Sequence, residues 1–264
     1  MTEKEYVAID SDISIPEGTE QIFENQHIQL GATVEVIGSL IIRNCTIEQS
    51  GGGDSGKGRS KQKPWYIYVQ SNGKVEMDGC EVIHPSTNFL HGCNMVIKST
   101  SFLFAAHSDA AISTMGKVKF EECSFVEEPE EPSEAGNAPT RDLICCNDDI
   151  FDNCTFQNIT GKISADTITG CTFSGCDRVF CLRQIRSSTF EDCTQVCIVS
   201  VSFGGSSLAT DCEFIRIGEV ISNKGDMENC KFRDLSNDSE GDCIISLTNG
   251  KITKCSFEDV CCKG

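Results

Sequence analysis

Residues 153–156 read Asn-Cys-Thr-Phe, and residues 170–173, the next copy of the phrase, read Gly-Cys-Thr-Phe. Ten copies of this four-residue phrase are present, and eight of them carry Cys at the second position. The spacing between successive copies varies from 17 to 35 residues, most spacings are near twenty, and the two longest contain loops at 49–63 and 127–140. Repeats of this period indicate a solenoid that adds one short coil per copy. The other copies begin at positions 44, 79, 99, 122, 187, 211, 229 and 254.

Apolar and polar residues alternate within each copy, which is the pattern of a β-strand with one face turned inward. The Cys at the second position and the Phe or aliphatic residue at the fourth therefore point into the core. Further apolar stretches, such as 117–120 and 179–182, predict two or three short strands per coil, joined by Gly, Asn and Asp turns. Leucine-rich repeats would need helical segments, and a propeller would need blades of about forty residues.

This style of coil resembles the pectate-lyase-like superfamily of right-handed parallel β-helices, from about residue 7 onward. The resemblance implies an all-β fold, a right-handed parallel β-helix (β-solenoid) of about ten coils. It implies a single domain over residues 1–264, with loop insertions at 49–63 and 127–140. It implies little about function, because the class contains lyases, hydrolases, phage fibres and intracellular interaction domains.

The composition of the chain limits the cell compartment and the kinds of partner that we expect for this protein. The chain has 18 cysteines and a formal net charge of −18. Disulfide scaffolds are usually short secreted chains without a core, whereas these cysteines recur at one inward position, so we expect reduced thiols that act as small hydrophobes. The charged N-terminus lacks a secretory signal and no apolar stretch is long enough to span a membrane, so we expect a cytoplasmic protein with no membrane contact. The acidic charge argues against binding to nucleic acid, because phosphate recognition depends on Lys and Arg.

The segment 51–58 reads Gly-Gly-Gly-Asp-Ser-Gly-Lys-Gly and almost matches a phosphate-binding loop. Gly58 stands where such a loop needs Ser or Thr to hold magnesium, and the residues that follow do not predict a helix. We therefore expect a loop between coils, whose cations form a basic island in an acidic chain and a contact site for an acidic partner. These cations are Lys57, Arg59, Lys61 and Lys63.

The strand after this loop is a candidate contact platform. Strand alternation places Tyr66 and Tyr68 on one face and Trp65 and Ile67 on the other. One pair belongs to the core, and the outward pair could contact a peptide or a sugar ring.

An apolar row on the outside of the solenoid is a second candidate contact site. Ile83, Leu103 and Val126 occupy the same outward position on consecutive coils. The loops at 49–63 and 127–140, which carry opposite charges, either cover this row as a flap or leave it exposed to bind a partner.

Motifs for catalysis and metal binding are incomplete. The pair Asp148 and Asp149 resembles the paired aspartates of the polygalacturonase branch, but the Gly-His-Gly and Arg-Ile-Lys motifs of that family are absent and 183–186 is the nearest match. We therefore interpret Asp148 and Asp149 as a solvated turn. Four residues have soft-metal ligand types but lack the CxxC or HxxxH spacing of a zinc site, so we expect no metal, no cofactor and no catalytic residue. They are Cys80, His84, His91 and Cys93.

These observations favour a non-catalytic, intracellular recognition or scaffold module that mediates protein–protein interaction, alone or within a larger assembly. The alternative is a carbohydrate-active β-helix, a polysaccharide lyase or glycoside hydrolase, which would display outward acids and bases in a groove. An acidic mimic of nucleic acid would need tandem five-residue repeats, which the chain lacks. Solenoid ends need capping, and no cap is evident after the last copy, so self-association through the C-terminal end is a further expectation.

Overall fold

A computed structural model describes residues 4–49, 66–85, 88–106, 111–129, 142–147, 149–199, 207–223, 225–235 and 245–260. The described residues contain only β-strands, turns and irregular segments, and every strand pair between them is parallel. The expected all-β parallel solenoid is confirmed, with a number of turns close to the expected ten. No helix in the described part of the chain is long and apolar enough to cross a membrane.

Each coil contributes one strand to a 12-stranded sheet, which we call face A. The strand order along this sheet follows the chain, so every coil stacks on the one before it. The strands are β1 (Glu5–Ile9), β4 (Gln26–Leu30), β7 (Thr46–Gln49), β10 (Glu81–Ile83), β13 (Ser101–Phe104), β16 (Ser124–Glu127), β19 (Thr155–Gln157), β21 (Thr172–Ser174), β23 (Thr189–Glu191), β26 (Glu213–Ile215), β29 (Lys231–Arg233) and β32 (Ser256–Glu258).

The other strands form two further parallel ladders, faces B and C. Face B contains β2 (Ile13–Ile15), β5 (Val34–Val36), β8 (Ile67–Val69), β11 (Leu90–Gly92), β14 (Ile112–Met115), β17 (Asp142–Asn147), β24 (Gln195–Val199), β27 (Glu219–Asn223) and β30 (Ile245–Thr248). Face C contains β3 (Glu20–Glu24), β6 (Ser39–Arg43), β9 (Lys74–Asp78), β12 (Met95–Lys98), β15 (Val118–Glu121), β18 (Ile150–Asp152), β25 (Ser207–Thr210), β28 (Gly225–Glu228) and β31 (Ile252–Thr253). Two long strands, β20 (Lys162–Thr169) and β22 (Arg178–Arg186), run around the corner and belong to both faces.

The first position of the repeat phrase forms the corner that leads into face A. Its backbone is left-handed in all ten copies, with φ between 43° and 62°. Gly adopts this conformation without strain, and Asn and Asp adopt it more readily than other residues, which explains their frequency at this position. At Gly170, a Cβ would also collide with the side-chain oxygen of Asn153, the residue at the same position one coil earlier.

The inner surface of face A is a continuous stack of aromatic rings. Eight phenylalanines, from Phe102 to Phe257, lie with adjacent ring centroids 4.4–5.2 Å apart and ring planes within 3–8° of parallel. Phe120 and Phe151 on face C meet this stack edge to face, for example at 5.6 Å and 70° between Phe120 and Phe125. Stacked and edge-to-face pairs are the favoured geometries of aromatic side chains, so one core runs along the axis.

The cysteines of the phrase form a second inward ladder with a hydrogen-bonding role. In all eight copies the thiol donates to the carbonyl oxygen two residues earlier, at 3.2–3.5 Å. In the two copies without Cys, the hydroxyls of Thr100 and Ser188 make the same bond at 2.7 Å. The position therefore selects a small inward side chain with a donor, and a thiol meets that need only while reduced. The fourteen cysteines whose side chains the structure describes are all free.

The structure differs from the expectations at both ends of the solenoid and at the first residue of each predicted loop. The strands β1 and β4 precede the first copy of the phrase, and Gln26 takes the place of Cys in the coil of β4. At the other end, Phe257 is inward-facing but 49% exposed. Gln49 and Glu127, which we expected in loops, are the last residues of β7 and β16. Glu127 is buried, and it accepts hydrogen bonds from the amide and hydroxyl of Thr160 at 2.7 and 2.9 Å.

Candidate functional site

The apolar row on face A is assembled by the strand register. Ile83 pairs with Leu103 and Leu103 with Val126, so the three outward side chains lie on adjacent strands about 4.8 Å apart. Each is partly buried. In the same column the polar residues Glu48 and Gln157 follow at the two ends. The row is therefore a short apolar patch with defined ends.

Polar groups border the row along its length. On one side, His84 Nε2 lies 3.2 Å from Glu128 Oε1, and this pair spans the coil that carries Leu103. The His84 amide also donates to the Leu103 carbonyl at 2.7 Å. On the other side, the third position of the phrase supplies Glu81, Ser101 and Ser124. An apolar centre with a polar rim is the usual anatomy of a protein contact surface.

The aromatic residues that we predicted as a contact platform lie on another face. Tyr68 points outward from face B, is 36% exposed and stacks on His91, with ring centroids 5.7 Å apart and planes 5° from parallel. Burial lowers the pKa of His91. Ile67 is buried and Tyr66 packs against the core, so the two tyrosines do not form one platform. The remaining predicted contact residues, Lys57, Arg59, Lys61, Lys63 and Trp65, lie outside the described residues.

A groove that sequence reasoning missed lies at the corner between faces B and C. It has a volume of about 550 Å³, and its lining includes Val96, Lys117, Lys119, Ile150, Asp166 and Arg183. A register shift between β20 and β22 shapes one end of the groove. Between the pairs Ala165–Cys181 and Thr167–Gln184, β20 has one residue and β22 has two. Bulges of this kind redirect side chains, and here the extra residue is at Arg183.

The charges of the groove are arranged in pairs, with one exception. Arg183 Nε lies 3.3 Å from Asp166 Oδ2. Lys119 lies 3.1 Å from Asp152 and 3.4 Å from Glu121. The hydrogen bond to Asp152, with the attraction of Glu121, raises the pKa of the Lys119 ammonium. Lys117 is exposed and pairs with no carboxylate of the described residues. It is the groove cation whose charge is not already compensated.

Asp149 is a structural residue, and our interpretation of it as part of a solvated turn is wrong. Its side chain is fully buried. One carboxylate oxygen accepts the Val118 amide at 2.9 Å, and the other accepts the Thr114 hydroxyl. A buried carboxylate is stable only with such donors, and here it ties its own coil to the preceding one. Asp148 lies outside the described residues.

The Cys and His residues that we considered as possible metal ligands also lie apart from one another. Cys80 is buried in the thiol ladder, and burial raises its pKa to about 11. His84 lies on face A and His91 on face B, and across the described ranges no three metal-ligating side chains come together.

No protein-family model matches this chain, and no curated protein is significantly similar to it.

Proposed function

We propose that this protein is a non-catalytic recognition module that contacts a protein partner through the apolar row on face A. The observation that carries the proposal is the in-register alignment of Ile83, Leu103 and Val126, partly exposed and bordered by polar groups. Removal of partly exposed aliphatic side chains from water by a partner lowers the free energy of the complex.

The scaffold beneath the row supports this proposal. Phe102 and Phe125 lie directly under the row's strands, are buried and stack at 4.9 Å. Close-packed cores are rigid, so the row would lose little conformational entropy on binding. A contact made by a rigid face requires no rearrangement of this chain.

Three finer expectations belong to the same proposal. The three-faced parallel stack is compatible with the pectate-lyase-like superfamily and its right-handed coil. The thiol-to-carbonyl bonds need reduced cysteines, which supports a cytoplasmic location. The partly exposed Phe257 and Ile252 support association through the C-terminal end as a secondary contact.

The experiment compares Leu103→Glu with Ser174→Glu. Both residues lie in the same outward column of face A and are partly buried, so Ser174→Glu adds the same charge away from the row. Each variant is immobilised, exposed to lysate from the source cell, and its captured proteins are quantified by mass spectrometry. A charge at the centre of an apolar contact should reduce capture of the true partner by roughly tenfold or more.

The two outcomes are distinct once circular dichroism shows that both variants are folded. A protein captured by the wild type and Ser174→Glu but lost with Leu103→Glu would support the proposal. A set of captured proteins that is the same for all three chains would overturn it.

A further inference from the structure

The groove between faces B and C has the dimensions of an extended chain. Val96, Lys119, Ile150 and Thr167 pair in register on four successive coils, and Arg183 lies one coil further. At about 4.8 Å per coil, the distance from Val96 to Arg183 is roughly 19 Å. An extended peptide rises about 3.3 Å per residue, so roughly six residues fit along the groove.

The lining combines an apolar floor with cations. Ile150 is 40% exposed and Val96 is partly buried, so both offer apolar surface. Lys117 and Lys119 stand between them along the axis, and Arg183 stands at the end. Among the described residues, the lining contains three cations and one carboxylate, Asp166, although the chain as a whole has a net charge of −18. Lys119 is compensated by Asp152 and Glu121, and Arg183 contacts Asp166, so Lys117 carries the uncompensated positive charge of the groove.

Two of the cations can bind an anion despite their neighbours. Lys117 is exposed and has no carboxylate partner within the described residues. Arg183 contacts Asp166, yet its side chain remains 67% exposed while that of Asp166 is 12% exposed. Asp166 contacts the guanidinium at Nε, and the Thr167 hydroxyl donates a hydrogen bond of 3.3 Å to the same carboxylate oxygen, Asp166 Oδ2. A positioned guanidinium binds carboxylates strongly because it donates two parallel hydrogen bonds.

The chemistry favours a peptide over other anionic chains. Nucleic acid would be repelled by the overall acidic charge. Sugar rings usually bind by stacking on aromatic side chains, and none of the described residues that line the groove is aromatic. Alternating cations and aliphatic side chains instead match a segment in which acidic residues alternate with aliphatic ones.

We propose that this groove binds an extended segment of about six residues, rich in Glu or Asp and containing aliphatic side chains, from a partner protein. The site is separate from the row on face A, so either proposal can fail without the other. Lys117 and Arg183 bind the acidic side chains, and Val96 and Ile150 contact the aliphatic ones.

The test uses the fluorescein-labelled peptide Glu-Leu-Glu-Glu-Leu-Glu and fluorescence anisotropy with the full chain. Lys117→Glu should weaken binding by roughly tenfold or more at low salt, because it replaces an attraction by a repulsion. Lys231→Glu, at an exposed position on face A, is the matched control and should change the affinity by less than about twofold. Ile150→Ala should weaken binding without changing its salt dependence, because it removes apolar contact only.

Three results would overturn the proposal. The first is no binding of the peptide by the wild type. The second is equal loss with Lys117→Glu and Lys231→Glu, which would indicate a non-specific charge effect. The third is binding of an acidic oligosaccharide, but not of the peptide, in a Lys117-dependent manner, which would assign the groove to a carbohydrate. The thermal unfolding midpoint of each variant confirms that it is folded.

Discussion

A middle coil and the last described coil carry the same phrase, yet their core residues are differently buried. Phe173 lies between Phe156 at 4.4 Å and Phe190 at 4.8 Å and is fully buried. Among the described rings, Phe257 stacks on Phe232 alone, at 5.0 Å, and it is 49% exposed. In a solenoid each coil contacts only its two neighbours. Burial of an inward residue is therefore shared between the coil before it and the coil after it, and the phrase alone does not determine it.

The largest expected difference between these regions concerns thiol reactivity. Cys171 is buried, and both its hydrogen bond with Cys154 and its burial raise its pKa, whereas Cys255 is partly exposed. Reaction of Cys171 with a thiol reagent requires opening of the core, which costs at least about 5 kcal/mol. Pulse alkylation and peptide mass spectrometry should show Cys255 modified at least about a thousandfold faster than Cys171. Equal rates would mean that the middle coils open as easily as the end.

Truncation of the stacked phenylalanines should give the next largest difference. Phe173→Ala removes a fully buried ring and should lower the free energy of unfolding by about 3–5 kcal/mol. Phe257→Ala should cost about half of that or less, because its ring is half in water already. Thr172→Ala, on the outward side of the same strand, should cost less than about 0.5 kcal/mol. Urea unfolding measures all three, and similar costs for the two phenylalanines would contradict the comparison.

Two glycines provide the smallest contrast, between the first coil and a middle one. Both have left-handed backbones, with φ of 74° at Gly18 and 62° at Gly170. Ala at either position should lower the free energy of unfolding by about 1–2 kcal/mol, because a residue with a Cβ is strained in the left-handed conformation. At Gly18 a Cβ meets nothing within 4 Å, whereas at Gly170 it collides with the Asn153 side chain. We expect Gly170→Ala to be the more destabilising by about 1 kcal/mol in thermal or urea unfolding. The opposite order would mean that Asn153 moves away at no cost.

The sequence was informative where one local pattern repeats without interruption. The phrase predicted the inward thiols and rings of face A, and the strand register confirms that Ile83, Leu103 and Val126 share one outward column. The phrase did not predict β1 and β4, because neither coil carries it. In the coil of β4, Gln26 occupies the position of the Cys. The described structure also separates Tyr68 from that column, because successive strands of a coil lie on different faces.

The burial of the two acidic residues and the presence of the groove could not be predicted from the sequence. Asp149 and Glu127 belong to acidic stretches that resemble solvated loops, and their burial depends on donors 31 and 33 residues away, at Val118 and Thr160. No pattern in the sequence predicts hydrogen-bond donors at such distances along the chain. The spacings between copies, 17 to 35 residues, also conceal which side chains meet on faces B and C.

By itself, the sequence determined the repeated coil, the inward Cys and Phe ladders and the acidic surface, because alternation and turn preference act within a few residues. Only the tertiary structure decided which ladder residues are covered, where the buried carboxylates find donors, and that Lys117, Ile150 and Arg183 line one groove. These features depend on stacking between coils and on a single extra residue in β22. Stacking register is a property of the assembled solenoid, since it places side by side residues that are tens of positions apart in the chain.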